Sequence, residues 1–385
     1  MNKIYIGKAK GPINIALIKY WGKEDEELII PLNNSISLTL DTNTFYTETK
    51  VTIQPIDNIN NSIKENLISL SINGKPSNIT NRVKNVFKKF FSLDIPICKE
   101  LSSLILDIKI ESINTFPIAS GCASSASSMA ALVLAIASAL KLENILSKTE
   151  LTKIARLGSG SACRSIFGGI CEWVKGSGDN SYAIQLYENS YWNLGIKLII
   201  VNQKEKDISS SIGMKITKET SELFKHRINH VVNNNLEKLK KSLKEKDFNS
   251  FSEIVIKDSN NFHACCRDSY PSINYLNEES DYIMKSVMIL NKLIKKNICA
   301  YTFDAGSNAF LIYEIENKNI INSFFDFIFG FSDISIFALI KNIQIENNEN
   351  NINAINTLIK RRPPKEKIIK QIDFVLGEGT QIINE

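Results

Sequence analysis

Residues 116–132 read FPIASGCASSASSMAAL, and from Ala119 to Ser128 no side chain is larger than cysteine. Directly afterwards Met129, Leu132, Val133, Ile136 and Leu140 recur at helical spacing. That pattern predicts a buried-faced helix of about four turns. A flexible linker would not feed straight into such a helix. Two readings stay open. The small residues can let a helix pack closely on a neighbour, or they can bring backbone N–H groups and serine hydroxyls up to an anion at a helix N-terminus, where the dipole favours negative charge. Pro117 and Gly121 suit the turn that enters such a loop. No Gly-Lys-Ser/Thr ending follows, so the stretch is not a Walker A motif.

Working outward, a chain of 385 residues with 43% hydrophobic and 23% charged residues is ordinary globular composition, long enough for two domains. The net charge of +5 is spread over interleaved acids and bases. This argues against a nucleic-acid partner and suits small anionic metabolites. The start MNKIYIGKAKG has no apolar core, so no signal peptide is expected, and no stretch is long enough to span a bilayer. Seven cysteines without framework spacing fit free thiols in a reducing compartment, and a cytoplasmic location is expected.

The chain mixes β-like runs such as SISLTL and TFYTETKVTI with helical patterns near 80–92 and 127–142. GGICEWV and LGIKLIIVN read as strands with the polar loop KGSGDNS between them, and a domain boundary is expected in 180–195. Beyond it, SELFKHRINHVVNNNLEKLKKSLKEKD has the pattern of amphipathic helices with a solvated charged face. CAYTFDAGSNAFLIYE reads as strand, tight turn, strand. Helices mixed with antiparallel strands, without a regular βαβ rhythm, predict an α+β fold. The asparagine-rich segment 345–356 is expected to be an irregular surface insertion.

Four further stretches carry candidate chemistry. NIALIKYWGK sets Lys19 and Lys23 around Tyr20 and Trp21, as a functional group or as an ordinary strand end. GSGSACRS at 158–165 alternates glycine and serine before Arg164, whose fork suits a carboxylate. DISSSIGM at 207–214 offers Ser209, Ser210 and Ser211, equally suited to a helix cap. TFDAGSNA sets Asp304 at a strand end, where most aspartates merely form turns. Rival chemistries fit less well. His263, Cys265 and Cys266 have poor spacing for zinc, no Gly-x-Ser-x-Gly elbow accompanies the three histidines, and no Gly-x-Gly-x-x-Gly opens a βαβ unit. The surviving elements point to a polyanionic substrate beside a nucleotide.

Taken together and in order, PINIALIKYWGK, FPIASGCASSAS, GSGSACRSIFGG, DSNNFHACCRDSYPSI and AYTFDAGSNA resemble the eukaryotic mevalonate diphosphate decarboxylases of the GHMP kinase superfamily. The resemblance runs from about residue 5 to FVLGEGTQI. It implies two α+β lobes, residues 1–188 with a phosphate-binding loop and 189–385 with a ferredoxin-like fold, and usually a homodimer. It also implies ATP and Mg2+ as cofactors, and decarboxylation of mevalonate 5-diphosphate after phosphorylation of its tertiary 3-hydroxyl. By the same resemblance Asp304 is the catalytic aspartate, Arg164 holds the substrate carboxylate, and Lys19 lies near the aspartate and the transferred phosphate. Tyr20, Lys23, Ser159, Ser161 and Ser210 match positions around the substrate, and Gly121, Ala123, Ser124 and Ser125 match the loop at the ATP phosphates. No metal ligand is implied.

Three positions depart from the family pattern. Ser307 and Ser272 replace prolines, and Cys122 replaces leucine; these bear on turn rigidity rather than on a charged group. A kinase or decarboxylase acting on mevalonate or its monophosphate, and a catalytically silent sensor of the same fold, are the alternative readings. Loss of the aspartate, arginine or lysine would favour the sensor, and all three are present.

Overall fold

The computed structural model describes residues 3–56, 65–116, 124–204 and 206–384. The chain opens with strands β1 (Tyr5–Pro12), β2 (Asn14–Ile18), β3 (Lys23–Asp25), β4 (Ile30–Pro31), β5 (Ser35–Thr39), β6 (Tyr46–Pro55), β7 (Leu67–Ile72) and β8 (Lys75–Ser77). Helices α1 (Asn81–Phe91) and α2 (Pro96–Ser102) lead to β9 (Leu106–Asn114). Then come α3 (Ser124–Ala139), α4 (Lys148–Gly158), α5 (Ala162–Ser165), β10 (Ile170–Val174) and β11 (Tyr182–Tyr187). Strand β12 (Leu194–Ile200) is followed by α6 (Ser210–Thr220), α7 (Glu222–His226), a π-helical turn at Arg227–Val231, α8 (Val232–Glu245), α9 (Phe248–Arg267) and α10 (Glu278–Ile294). The chain continues through β13 (Ala300–Phe303), β14 (Ala309–Glu314), α11 (Lys318–Ile328), α12 (Ile336–Asn342), α13 (Glu349–Lys360), β15 (Lys370–Val375) and β16 (Gln381–Ile382).

Three larger sheets and the short antiparallel β3–β4 pair organise these elements. The first has the order β16-β1-β6-β9-β7-β8, and within it β7 runs parallel to β9. Its buried residues, among them Val51, Ile53, Ile108 and Ile110, form one core with α1, α3 and α4. Helix α3 is buried nearly all round, as befits a helix without a polar face. A Cβ on Gly7 of β1 would stand 2.2 Å from the Ala135 carbonyl oxygen, and one on Gly11 would stand 2.5 Å from that of Ser127. Close packing is therefore real for the helix body, where small residues let α3 lie directly on β1.

The second sheet, β11-β10-β5-β2, shares a core with the third, β13-β14-β12-β15. Ile15 and Leu38 belong to the same buried cluster as Leu198, Val255 and Phe310. In the third sheet β12 lies between β14 and β15, with the helices inserted after β12 and after β14. This is the ferredoxin-like β-α-β-β-α-β arrangement.

Two expectations need correction. Residues 345–356 are not an irregular insertion. Asn348 caps α13 by accepting from the Asn351 N–H at 2.9 Å, and Ile355 and Leu358 are buried in the core. Strand β11, between the KGSGDNS loop and β12, is absent from the sequence reading; it lengthens the second sheet by pairing Tyr182–Tyr187 with β10.

Candidate active site

Lys19 lies one residue beyond β2, and Asp304 one residue beyond β13. Their side chains meet across the join between the second and third sheets, with Lys19 Nζ 2.8 Å from Asp304 Oδ1. Lys19 is only 2% exposed. Burial pushes its ammonium pKa down, and the Asp304 carboxylate works in the opposite direction. The turn after Asp304 is tied locally, because Gly306 N–H donates to the Asp304 carbonyl at 2.7 Å. Ser307, in place of a proline, leaves this turn anchored: its carbonyl accepts from Ser280 Oγ at 2.8 Å, and Asn308 Oδ1 accepts from Val201 and Asn202 N–H.

This pair stands in a cleft of about 400 Å³. Arg164, buried in α5, donates from Nη1 to Ser35 Oγ at 2.7 Å and from Nη2 to Asn14 Oδ1 at 3.2 Å. Asn14 also donates to the Ser161 carbonyl and to Ser165 Oγ. The guanidinium plane is thereby fixed from two strands. Burial lowers the pKa of Arg164, but an arginine starts high enough to stay charged.

The serine loops meet along one wall. Ser159 Oγ donates to Ser125 Oγ at 3.2 Å and lies 3.3 Å from Ser161 Oγ. Ser125 is in the first turn of α3, where N–H groups without helical partners favour an anion. Gly121 and Ala123 lie outside the described residues, as does the side chain of Ser124. Gly160 is required by close approach: a Cβ there would meet Trp173 at 2.7 Å and Tyr20 at 3.0 Å. The Tyr20 and Trp173 rings pack with centroids 4.6 Å apart.

At the other wall, Lys23 is buried and ion-paired with Glu26. Ser210 Oγ accepts from Lys206 Nζ at 2.9 Å, and Lys206 also donates to the Ala305 carbonyl. The cleft thus gathers every described side chain expected from the sequence: Lys19, Tyr20, Lys23, Ser125, Ser159, Ser161, Arg164, Ser210 and Asp304. It also contains residues that the sequence reading missed. Arg82 of α1 donates to Ser211 Oγ at 2.8 Å, and Lys206 and Asn14 join it. Arg82 and Lys206 carry no motif of their own, Arg82 being one cation in an ordinary amphipathic helix, whereas Asn14 opens NIALIKYWGK without any local sign of its role.

The electrostatics are one-sided. Lys19, Lys23, Arg82, Arg164 and Lys206 line the cleft, and Asp304 is the one carboxylate among its described lining residues. Tyr20 Oη, Trp21 Nε1 and Arg164 Nε are buried with no partner among the described residues. The cationic lining suits a polyanion. No group of three or more His, Cys, Asp or Glu side chains suited to a metal occurs among the described residues. That donor set fits a magnesium ion held mainly by phosphate oxygens and water, with one protein carboxylate nearby. No helix among the described residues is long and apolar enough to cross a membrane.

Comparison with known proteins finds relatives that match nearly the whole chain. A family model described as the diphosphomevalonate decarboxylase-like N-terminal domain matches residues 11–183. Another, the mevalonate 5-diphosphate decarboxylase C-terminal domain, matches residues 196–383. The diphosphomevalonate decarboxylase of Saccharomyces cerevisiae is 40% identical over 336 residues, covering 85% of this chain and 82% of the relative. A crystal structure of mevalonate 5-diphosphate decarboxylase superposes with a TM-score of 0.81 at 36% identity, over 99% of this chain and 97% of the other. A solved structure named MDDEF in complex with MVAPP, AMPPCP and magnesium matches with a TM-score of 0.75 at 31% identity, over 100% of both chains.

Proposed function

The chain belongs to the mevalonate 5-diphosphate decarboxylase family, and we propose on that premise which of its residues carry each part of the reaction. The enzyme uses ATP and Mg2+ to decarboxylate mevalonate 5-diphosphate to isopentenyl diphosphate, releasing ADP, phosphate and CO2. The observation that carries the assignment of roles is the pairing of buried Lys19 with partly exposed Asp304 in an otherwise cationic cleft.

A tertiary alcohol is a poor nucleophile and hydroxide a poor leaving group, so the 3-hydroxyl must first become a phosphate ester. Asp304 accepts the proton of that hydroxyl as the phosphoryl group arrives. Lys19 orients the carboxylate and offsets negative charge developing on the transferred group. Arg164, held by Ser35 and Asn14, orients the substrate carboxylate. When phosphate leaves, positive charge builds at C3 and the neighbouring C–CO2 bond supplies its electrons, forming the double bond. Tyr20, Lys23, Ser159, Ser161 and Ser210, with Arg82 and Lys206, surround the diphosphate. Ser125 and the loop that includes Gly121, Ala123 and Ser124 take the ATP phosphates. Magnesium, held by those phosphates with Asp304 as the nearby protein oxygen, would supply charge neutralisation.

We further propose that the lobes divide at 188/189, as the strand partners support: Tyr187 pairs with Ile170, and Leu194 with Glu314. A homodimer in the cytoplasm rests on the family resemblance, and sedimentation tests the dimer. For the chemistry, ADP and CO2 are measured with mevalonate, its 5-phosphate and its 5-diphosphate. One CO2 per ADP from the 5-diphosphate alone is expected, and ADP without CO2 would make the protein a kinase.

A further inference from the structure

The motif DSNNFHACC of α9 has no part in the roles above, yet it touches both sides of the Lys19–Asp304 pair. The fully buried Asp258 accepts from the backbone N–H of Lys19 at 2.8 Å. Its neighbour Ser259 accepts, through Oγ, from the backbone N–H of Phe303 at 3.2 Å, one residue before Asp304. Two successive residues of one helix therefore grip the two main-chain segments that carry the pair. Those segments are 285 residues apart in the chain, and each leaves its strand at the point where it is gripped.

The grip is itself braced. Arg227 of the π-helical turn donates to Asp258 Oδ2 at 3.0 Å, and both side chains are fully buried. Arg227 also donates to Asn261 Oδ1 at 2.8 Å and reaches the Lys19 carbonyl at 3.4 Å. Asn235 of α8 donates to Asp258 Oδ1, and Asn33 donates to the same Lys19 carbonyl at 3.1 Å. Both main-chain polar groups of Lys19, which lies beyond the end of edge strand β2, are thus satisfied, the N–H from α9. Tyr301 Oη donates to Asn260, tying β13 to the same turn of α9.

We propose that Asp258 and Ser259, braced by Arg227, are positioning residues that set the distance and angle between Lys19 and Asp304. None of the three lines the cleft, so each acts through the pair and not on substrate. A buried ion pair is weak support for stability, because apolar replacements of similar volume are often neutral or better. Here the acid has another task, since its second partner is the main chain of a cleft lysine. Catalytic geometry is sensitive at this scale: a misplacement of about 1 Å can cost about 100-fold in rate.

The inference rests on the roles proposed for Lys19 and Asp304, and the test separates the two. Ser259→Ala, the apolar pair Arg227→Met with Asp258→Leu, Lys19→Met and Asp304→Asn are compared by kcat, KM for both substrates and melting temperature. For Ser259→Ala and the apolar pair, kcat is expected to fall about 10- to 100-fold with both KM values nearly unchanged and the fold intact. In a Lys19→Met background the apolar pair should lower the residual kcat no further, because it acts through the lysine, and in an Asp304→Asn background the same should hold for Ser259→Ala, which acts through the aspartate. Wild-type kcat in Ser259→Ala, or losses that multiply undiminished when the apolar pair is combined with Lys19→Met or Ser259→Ala with Asp304→Asn, would overturn the positioning role while leaving the function standing. Full turnover in Lys19→Met would overturn both. If the apolar pair does not fold, Ser259→Ala and its cycle with Asp304→Asn are sufficient to decide.

Discussion

Replacing Asp304 with asparagine nearly preserves shape and removes one charge. The amide cannot take the proton of the substrate hydroxyl, and general-base catalysis of this kind contributes about 10²–10⁴-fold. That range corresponds to about 3–5 kcal/mol of transition-state stabilisation. A second effect follows from Lys19, which is buried and keeps Asp304 at 2.8 Å. Burial already lowers the lysine pKa, and Asp304 is the chief influence raising it. Without the carboxylate the folded-state pKa falls further below the ordinary lysine value, while the unfolded-state value stays put. Between those two values the unfolded chain binds more protons than the folded one, so stability rises with pH. The variant should therefore melt below wild type at neutral pH, with a gap that narrows as pH rises towards the ordinary lysine value. Turnover, nucleotide affinity and melting temperature against pH are measured on one preparation. Turnover should collapse while ATP affinity stays within several-fold. An aspartate that only forms the turn would give a lower melting temperature with turnover kept, and that result would refute the catalytic role.

Arg164→Lys keeps a charge but cannot span Ser35 and Asn14 with one planar fork; kcat should fall strongly, and full activity would mean that a positive field suffices. Ser125→Ala removes a hydroxyl at the start of α3, and loss of one charge-assisted hydrogen bond predicts about a 10- to 100-fold drop in turnover; wild-type kinetics at saturating and limiting ATP would make the loop wall structural. Deleting 346–353 removes the Asn348 cap and the first turn of α13, and the cap alone is worth about 0.5–2 kcal/mol; an unchanged melt would show that α13 does not brace the lobe. Burial, followed by the nearby Lys19 charge, pushes the pKa of His263 down to about 3 from 6.5. The unfolded chain takes up that proton first, so wild-type stability should fall as pH drops from 6.5 towards 3. His263→Phe should flatten that fall, and parallel pH curves for the two proteins would refute the assignment.

What can be read from the chain is chemistry that advertises itself locally. Serines spaced by glycine, an arginine after such a loop and an aspartate at a strand end each limit what a segment can bind, and the fold brings them into one cleft. Arg82 and Lys206 cannot be found that way, because a single lysine or arginine on a polar face has the same local pattern whether it meets solvent or a ligand. The Arg227–Asp258 pair is hidden for a different reason. Its members are separated by 31 positions, and the π-helical turn that aims Arg227 has no periodic signature. Helix α13 escapes a reading by composition because asparagine is a poor helix former, although Ile352, Ile355 and Ile359 keep a helical spacing and Ile355 is buried. Strand β11 lacks strict alternation of burial and so resembles a continuing loop.

Strand β16 pairs with the outer edge of β1, Ala9 opposite Ile382, after the chain has traversed every other element. Thr380 bonds to the Ser165 carbonyl, and Ile383 N–H donates to the Lys8 carbonyl. On a ribosome this gives the first sheet a waiting time. At about 5–20 residues per second, β1 stands with an open edge for on the order of tens of seconds before its partner emerges. Ile4 and Ile6 are solvent-exposed even in the finished molecule, and an unpaired strand edge is a template for pairing with another chain. Slowing translation late in the message should therefore lower soluble yield without altering a single contact of the native enzyme.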